Sequence, residues 1–121
     1  GRFTFSFMIA PDGSLRHGQK YDHVPVPDSS SFSGADGWTI DSAGRRYLTT
    51  KLGLQVFDEA GRCNLILSFP AGATWMSNVC FGTPKLDTLY LTCEDKVFRR
   101  KINATGVLAW KAHSKRPKPK P

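Results

Sequence analysis

Few side chains in this chain have the spacing that chemistry requires. His17, His23 and His113 are scattered, with no partner four residues away and no cysteine nearby, so neither a histidine zinc site nor a catalytic triad is expected. Ser77 lies outside any G-x-S-x-G elbow and is no candidate nucleophile. Cys63, Cys80 and Cys93 are odd in number and form no C-x-x-C pair, which fits neither a disulfide framework nor a zinc site. Cys80 and Cys93 sit among apolar strand residues and read as small core side chains. The remaining candidates are oxygen donors, the type that suits a hard cation. Asp41 with Gly44 and Asp58 with Gly61 read as hairpin turns. Asp36, directly before Gly37, reads by itself as another turn cap.

The elements that must position these residues are strands. Apolar and polar side chains alternate at period two, and turn residues punctuate them. The pattern predicts strands over residues 3–7, 19–26, 37–41, 46–50, 54–57, 63–69, 78–81, 88–93 and 96–102. Pro11-Asp12-Gly13-Ser14, Ser42-Ala43-Gly44, Asp58-Glu59-Ala60-Gly61 and Gly82-Thr83-Pro84-Lys85 read as turns. No helix is predicted, because apolar residues rarely recur at three and four and Gly and Pro interrupt often.

An internal repeat organises these strands. Tyr47-Leu48-Thr49-Thr50 returns 43 residues later as Tyr90-Leu91-Thr92-Cys93, and Val56-Phe57 returns 41 residues later as Val97-Phe98. Four short strands at a period of about 40–45 residues are the mark of β-propeller blades. The expectation is an all-β chain forming a partial propeller of a little over two blades. Residues 1–26 supply the outer strands of one blade, 35–70 a full blade, and 74–107 a last blade lacking a strand. Blades cover one another's faces, so an arc this short should need further blades or self-association. The opening on strand-like residues without an initiator Met leads to the same expectation of missing upstream blades.

The formal net charge of +7 is not spread evenly. All ten acidic residues precede position 96, while nine of the 17 basic ones follow residue 95. The end of the chain, residues 111–121, is rich in Lys and Pro, alternates Lys or Arg with Pro from Ser114 on, and reads as a disordered, solubilising tail. No RNA-binding aromatic motif, helix-turn-helix or zinc finger accompanies it, so no nucleic-acid partner is expected. No apolar run reaches the roughly 18–20 residues that span a bilayer, so no membrane partner is expected either. A soluble chain follows, with the cytoplasm favoured over secretion. Asn103-Ala104-Thr105 fits a glycosylation sequon, which matters only in a secretory pathway.

Three segments carry a resemblance. Ala35-Asp36-Gly37-Trp38-Thr39-Ile40-Asp41 through Gly44 to Leu48, the hairpin Gly53 to Gly61, and Ser77-Asn78-Val79-Cys80-Phe81-Gly82 followed by Asp87 to Thr92 are together similar to the gluconolactonase-like family. The resemblance implies a six-bladed propeller with a divalent metal, calcium or zinc, in its central channel, and hydrolysis of a small-molecule lactone. It implies Asp36 as a metal ligand and catalytic carboxylate. The family's other ligands, a Glu and an Asn, have no counterpart here, and Ala35 stands where a Pro is usual. One carboxylate cannot hold such an ion well, so this chain alone is expected to be inactive. Asn78 at a channel mouth could touch substrate, or could serve a strand edge. Trp38 and Trp75 flank inner-strand starts and could wall a substrate pocket, or could fill the space between blades. The alternative to an enzyme is a propeller that binds without catalysing.

Overall fold

In a computed structural model of the chain, residues 1–108 and Lys111 are described; most of the basic tail lies outside them. Nine strands follow in order: β1 (Phe3–Ile9), β2 (Leu15–His23), β3 (Trp38–Ile40), β4 (Arg46–Thr50), β5 (Gly53–Phe57), β6 (Cys63–Leu67), β7 (Asn78–Gly82), β8 (Thr88–Cys93) and β9 (Lys96–Lys101). They form three antiparallel sheets, β1-β2, β3-β4-β5-β6 and β7-β8-β9, each a meander of sequence neighbours. The sheets do not close on themselves, and the architecture is that of a partial β-propeller.

Sheet-to-sheet packing explains why the middle strands are buried on both faces. Along β4 alternate side chains point to opposite sides. Tyr47 joins Leu54, Val56, Met76, Val79, Leu89, Leu91 and Cys93 in the core shared with the third sheet. Leu48 turns the other way and joins Val24 and Phe57 toward the first sheet. Burying a side chain such as Phe57 contributes about 2 kcal/mol, so the second sheet is held by both neighbours. Between the first and second sheets lies a buried ion pair. Arg46 Nη2 donates to Asp22 Oδ1 at 2.6 Å, and Thr4 Oγ1 donates to Asp22 Oδ2 at 2.7 Å. Arg46 also donates to the carbonyls of Gly44 and Asp58, so four of its five N–H donors are engaged.

Three details differ from the sequence reading. The first hairpin is longer, because Pro11–Ser14 makes a tight turn in which Gly13 N–H reaches the Ala10 carbonyl at 2.8 Å and Gly13 takes a φ of 80°. β1 therefore runs on to Ile9 and β2 starts at Leu15. His17, outside the predicted strands, consequently lies in β2. Cys93 is buried as expected, but Cys80 is exposed. Period two puts Val79 into the core on β7, which turns Cys80 to the opposite face.

Candidate functional site

The ends of two strands meet where the second and third sheets touch. Asp36 and Gly37 both stand opposite Thr49: Asp36 N–H donates to the Thr49 carbonyl at 3.1 Å, and Thr49 N–H donates to the Gly37 carbonyl at 3.0 Å. Two residues against one make a bulge, a device that re-aims side chains at the end of a ladder. The Gly37 N–H is thereby freed and crosses to the next sheet, where it donates to the Ser77 carbonyl at 2.9 Å. Only glycine permits this approach. A Cβ on residue 37 would stand 2.3 Å from Asn78 Oδ1 and 2.6 Å from Asn78 Cα.

Asp36 and Asn78 thus sit side by side at the starts of β3 and β7, and both are exposed. Asp36 differs from the turn aspartates. The Asp41 carboxylate accepts the N–H groups of Ala43 and Arg45, and that of Asp58 accepts those of Ala60 and Arg62. Among the described residues, no hydrogen bond engages the Asp36 carboxylate. Asn78 uses Oδ1 locally, accepting the Val79 N–H at 2.8 Å, and among the described residues no hydrogen bond engages its NH₂.

The segments on either side of this pair are held by further contacts. Gly34, with a φ of 61°, lies against the Lys51 stem and the edge of Trp75. The Lys51 ammonium sits 5.0 Å above the Phe32 ring. Glu94, in the β8–β9 turn, is held by Thr74, whose hydroxyl and then backbone N–H draw its carboxyl below the ordinary range. Trp38 goes elsewhere. It is 60% exposed and faces the first sheet, lining a cavity of about 360 Å³ with Phe5, Phe7, Asp22 and Leu48. Of the four residues singled out in the sequence, Asp36 and Asn78 are brought near each other through Gly37, which packs on Asn78, Trp75 lies against Gly34, and Trp38 faces the first sheet.

The donor set can be tested against a divalent ion. Calcium takes about six to eight oxygens and zinc about four ligands. Among the described residues, no three His, Cys, Asp or Glu side chains converge. Asp36 brings one carboxylate, Asn78 Oδ1 is already engaged, and Glu94 is tied to Thr74. These residues do not by themselves fit a metal; they make one wall of a site.

Sequence reasoning missed Thr49, Gly37 and Ser77. The usable signal was the repeat, which places a threonine third in both Tyr-Leu-Thr segments.

The comparisons with known proteins agree with this architecture. Residues 8–95 match the family model described as the SMP-30/Gluconolactonase/LRE-like region. Among solved structures, the chain is similar to a protein provisionally described as a gluconolactonase, with a TM-score of 0.73 and 22% identity, over 88% of this chain and 34% of that one. It is also similar to a luciferin-regenerating enzyme, with a TM-score of 0.63 and 19% identity, over 88% of this chain and 40% of that one. The chain therefore spans about a third to two-fifths of the length of these structures, and the likeness is one of fold. No curated protein matches it.

Proposed function

Because the chain belongs to the SMP-30/gluconolactonase/LRE-like family, we propose that it supplies one wall of a lactone-hydrolysing channel, with Asp36 as its reactive group. The observation that carries this reading is the exposed Asp36 carboxylate, left without a hydrogen bond among the described residues while the neighbouring turn aspartates are saturated. A lactone carbonyl is a poor electrophile, and water is a poor nucleophile at neutral pH. A carboxylate within reach of a water takes its proton as it attacks the ester carbon, an effect of about 10²–10⁴-fold. As the ring C–O bond then breaks, the leaving oxygen takes the proton that Asp36 accepted, which gives the open hydroxy acid and restores the carboxylate. The Asn78 NH₂ beside Asp36 is placed to hold a substrate oxygen, and Trp75 to flank a sugar ring. Trp38, on the far side of β3, would meet substrate only through the cavity it lines. A calcium or zinc ion at this place would polarise the carbonyl. Asp36 would be one of its ligands, and the other oxygens would have to come from other walls.

The test is turnover of glucono-δ-lactone, followed by acid release, in the 121-residue chain and in any longer polypeptide that carries it, with and without Ca²⁺ or Zn²⁺. Asp36→Asn should lower kcat by about 100-fold or more with the circular dichroism unchanged. Undiminished turnover removes Asp36 from the mechanism. A second reading, a propeller that binds a small molecule without catalysing, is favoured by the lack of a converging acidic cluster among the described residues. Lactone binding without turnover in every form would decide for it.

A further inference from the structure

The structure assigns Thr49 as the positioning residue of the Asp36 site, the group that sets how Asp36 and Asn78 face each other across the boundary between two blades. The inference rests on the reading of Asp36 given above and adds a residue that this reading does not use.

Thr49 is 0% exposed. Its hydroxyl lies 3.0 Å from the Gly37 N–H, 3.0 Å from the Gly37 carbonyl and 3.4 Å from the Ser77 carbonyl. A hydroxyl has one proton and two lone pairs. It accepts the Gly37 N–H, which also donates to the Ser77 carbonyl, and donates to one of the two carbonyls, so a single side chain braces Gly37 at the point where the bulge meets the next sheet. The backbone of the same residue holds the bulge from the other side, through Asp36 N–H and the Gly37 carbonyl. Gly37 is the contact point, pressed against Asn78 with no room for a Cβ. Moving the Thr49 hydroxyl therefore moves Asp36 and Asn78 relative to each other.

The repeat supports the assignment. Thr92 occupies the matching place in the third sheet, directly opposite Asn78. Its carbonyl accepts the Ser77 N–H at 2.9 Å, and its hydroxyl lies 2.9 Å from Ser77 Oγ. Hydroxyl-bearing residues thus run beneath the site from Thr49 through Ser77 to Thr92, joining the two strand starts. A purely apolar residue at position 49 would fill the space and leave this line broken at its first member.

The experiment compares Thr49→Val, which keeps the shape and removes the hydroxyl, with Thr49→Ser, which keeps the hydroxyl. Amide exchange by NMR is read at Gly37, with Leu89 in the core as the internal standard for global opening. In Thr49→Val the Gly37 N–H keeps only its bond to the Ser77 carbonyl, so Gly37 should exchange about three- to tenfold faster while Leu89 is unchanged. Thr49→Ser should match the parent. Equal exchange at Gly37 in the parent and Thr49→Val overturns the assignment. If Thr49→Val opens globally, Thr49→Ser decides: a Gly37 rate raised without a change at Leu89 also overturns it. Turnover supplies the readout that a merely structural role would not move: in a longer polypeptide that carries this chain and hydrolyses glucono-δ-lactone, Thr49→Val should lower kcat about tenfold with KM little changed, and Thr49→Ser should retain the parent value. Absence of turnover in every form, with the exchange result intact, sinks the Asp36 reading and leaves the positioning by Thr49 standing.

Discussion

Three buried polar side chains carry unequal risks at the scale of single residues. The Asp22–Arg46 pair is nearly dry, with side chains 3% and 11% exposed. Burial alone pulls the Arg46 guanidinium down, but the hydrogen bond and charge of Asp22 more than offset it, and the group ends above its ordinary value. Removing one partner strands the other charge. Asp22→Ala should therefore cost about 3–5 kcal/mol in urea unfolding, whereas replacing both by apolar residues of similar volume should cost far less. Tyr47 is a milder case. Burial first, then the hydrogen bond to Asp41 and that carboxylate's charge, push its phenol up to about 12. A folded value above the ordinary 10.0 means stability that is full below pH 10 and lost as pH rises through about 12. Absorbance at 295 nm should show a component titrating near 12 that Tyr47→Phe abolishes; its survival would refute the assignment.

Turns and bulges do the positioning at the scale of elements. Gly37→Ala would drive a methyl into Asn78, so this substitution should lower stability by about 1–3 kcal/mol and shift the Asn78 and Ser77 resonances before remote ones. The β5–β6 turn is set by Asp58, whose carboxyl is drawn down to about 2, chiefly by the Arg62 N–H and then by the Asn64 amide. The ordinary value is 3.8, so this contribution is present above that pH and fades as pH falls from 3.8 through about 2. Urea midpoints should accordingly vary less with pH across that window in Asp58→Asn than in the parent. These turns were legible in the sequence because Asp-x-x-Gly states its own hydrogen bonds. The strands were legible because one face of each is apolar. The bulge at Asp36-Gly37 was not, since a two-against-one register depends on the Thr49 partner, and periodicity within one strand carries no record of its neighbour. Cys80 was misjudged for a related reason: a short apolar run does not say which of its residues faces the core.

The uncovered surfaces matter at the scale of the whole molecule. β1 carries no charged residue, and among the described strands nothing pairs with its outer edge. Phe5, Phe7 and Ile9 are exposed along it, and Leu15 stands opposite Ile9. Such an edge invites association. Light scattering should report species larger than a monomer as concentration rises, and Phe5→Lys with Ile9→Lys should return the chain to monomer; concentration-independent monomers throughout would contradict this. The second and third sheets are joined differently. Gly37 bonds to Ser77 at one end of their seam. At the opposite end, Ser42 N–H reaches the Thr105 carbonyl at 2.7 Å, and Gly106 bridges Asp41 while donating to the Leu86 carbonyl. A plate riveted at both ends cannot swing like a door. The mouth that holds Asp36 is therefore built to keep a fixed aperture between these two sheets.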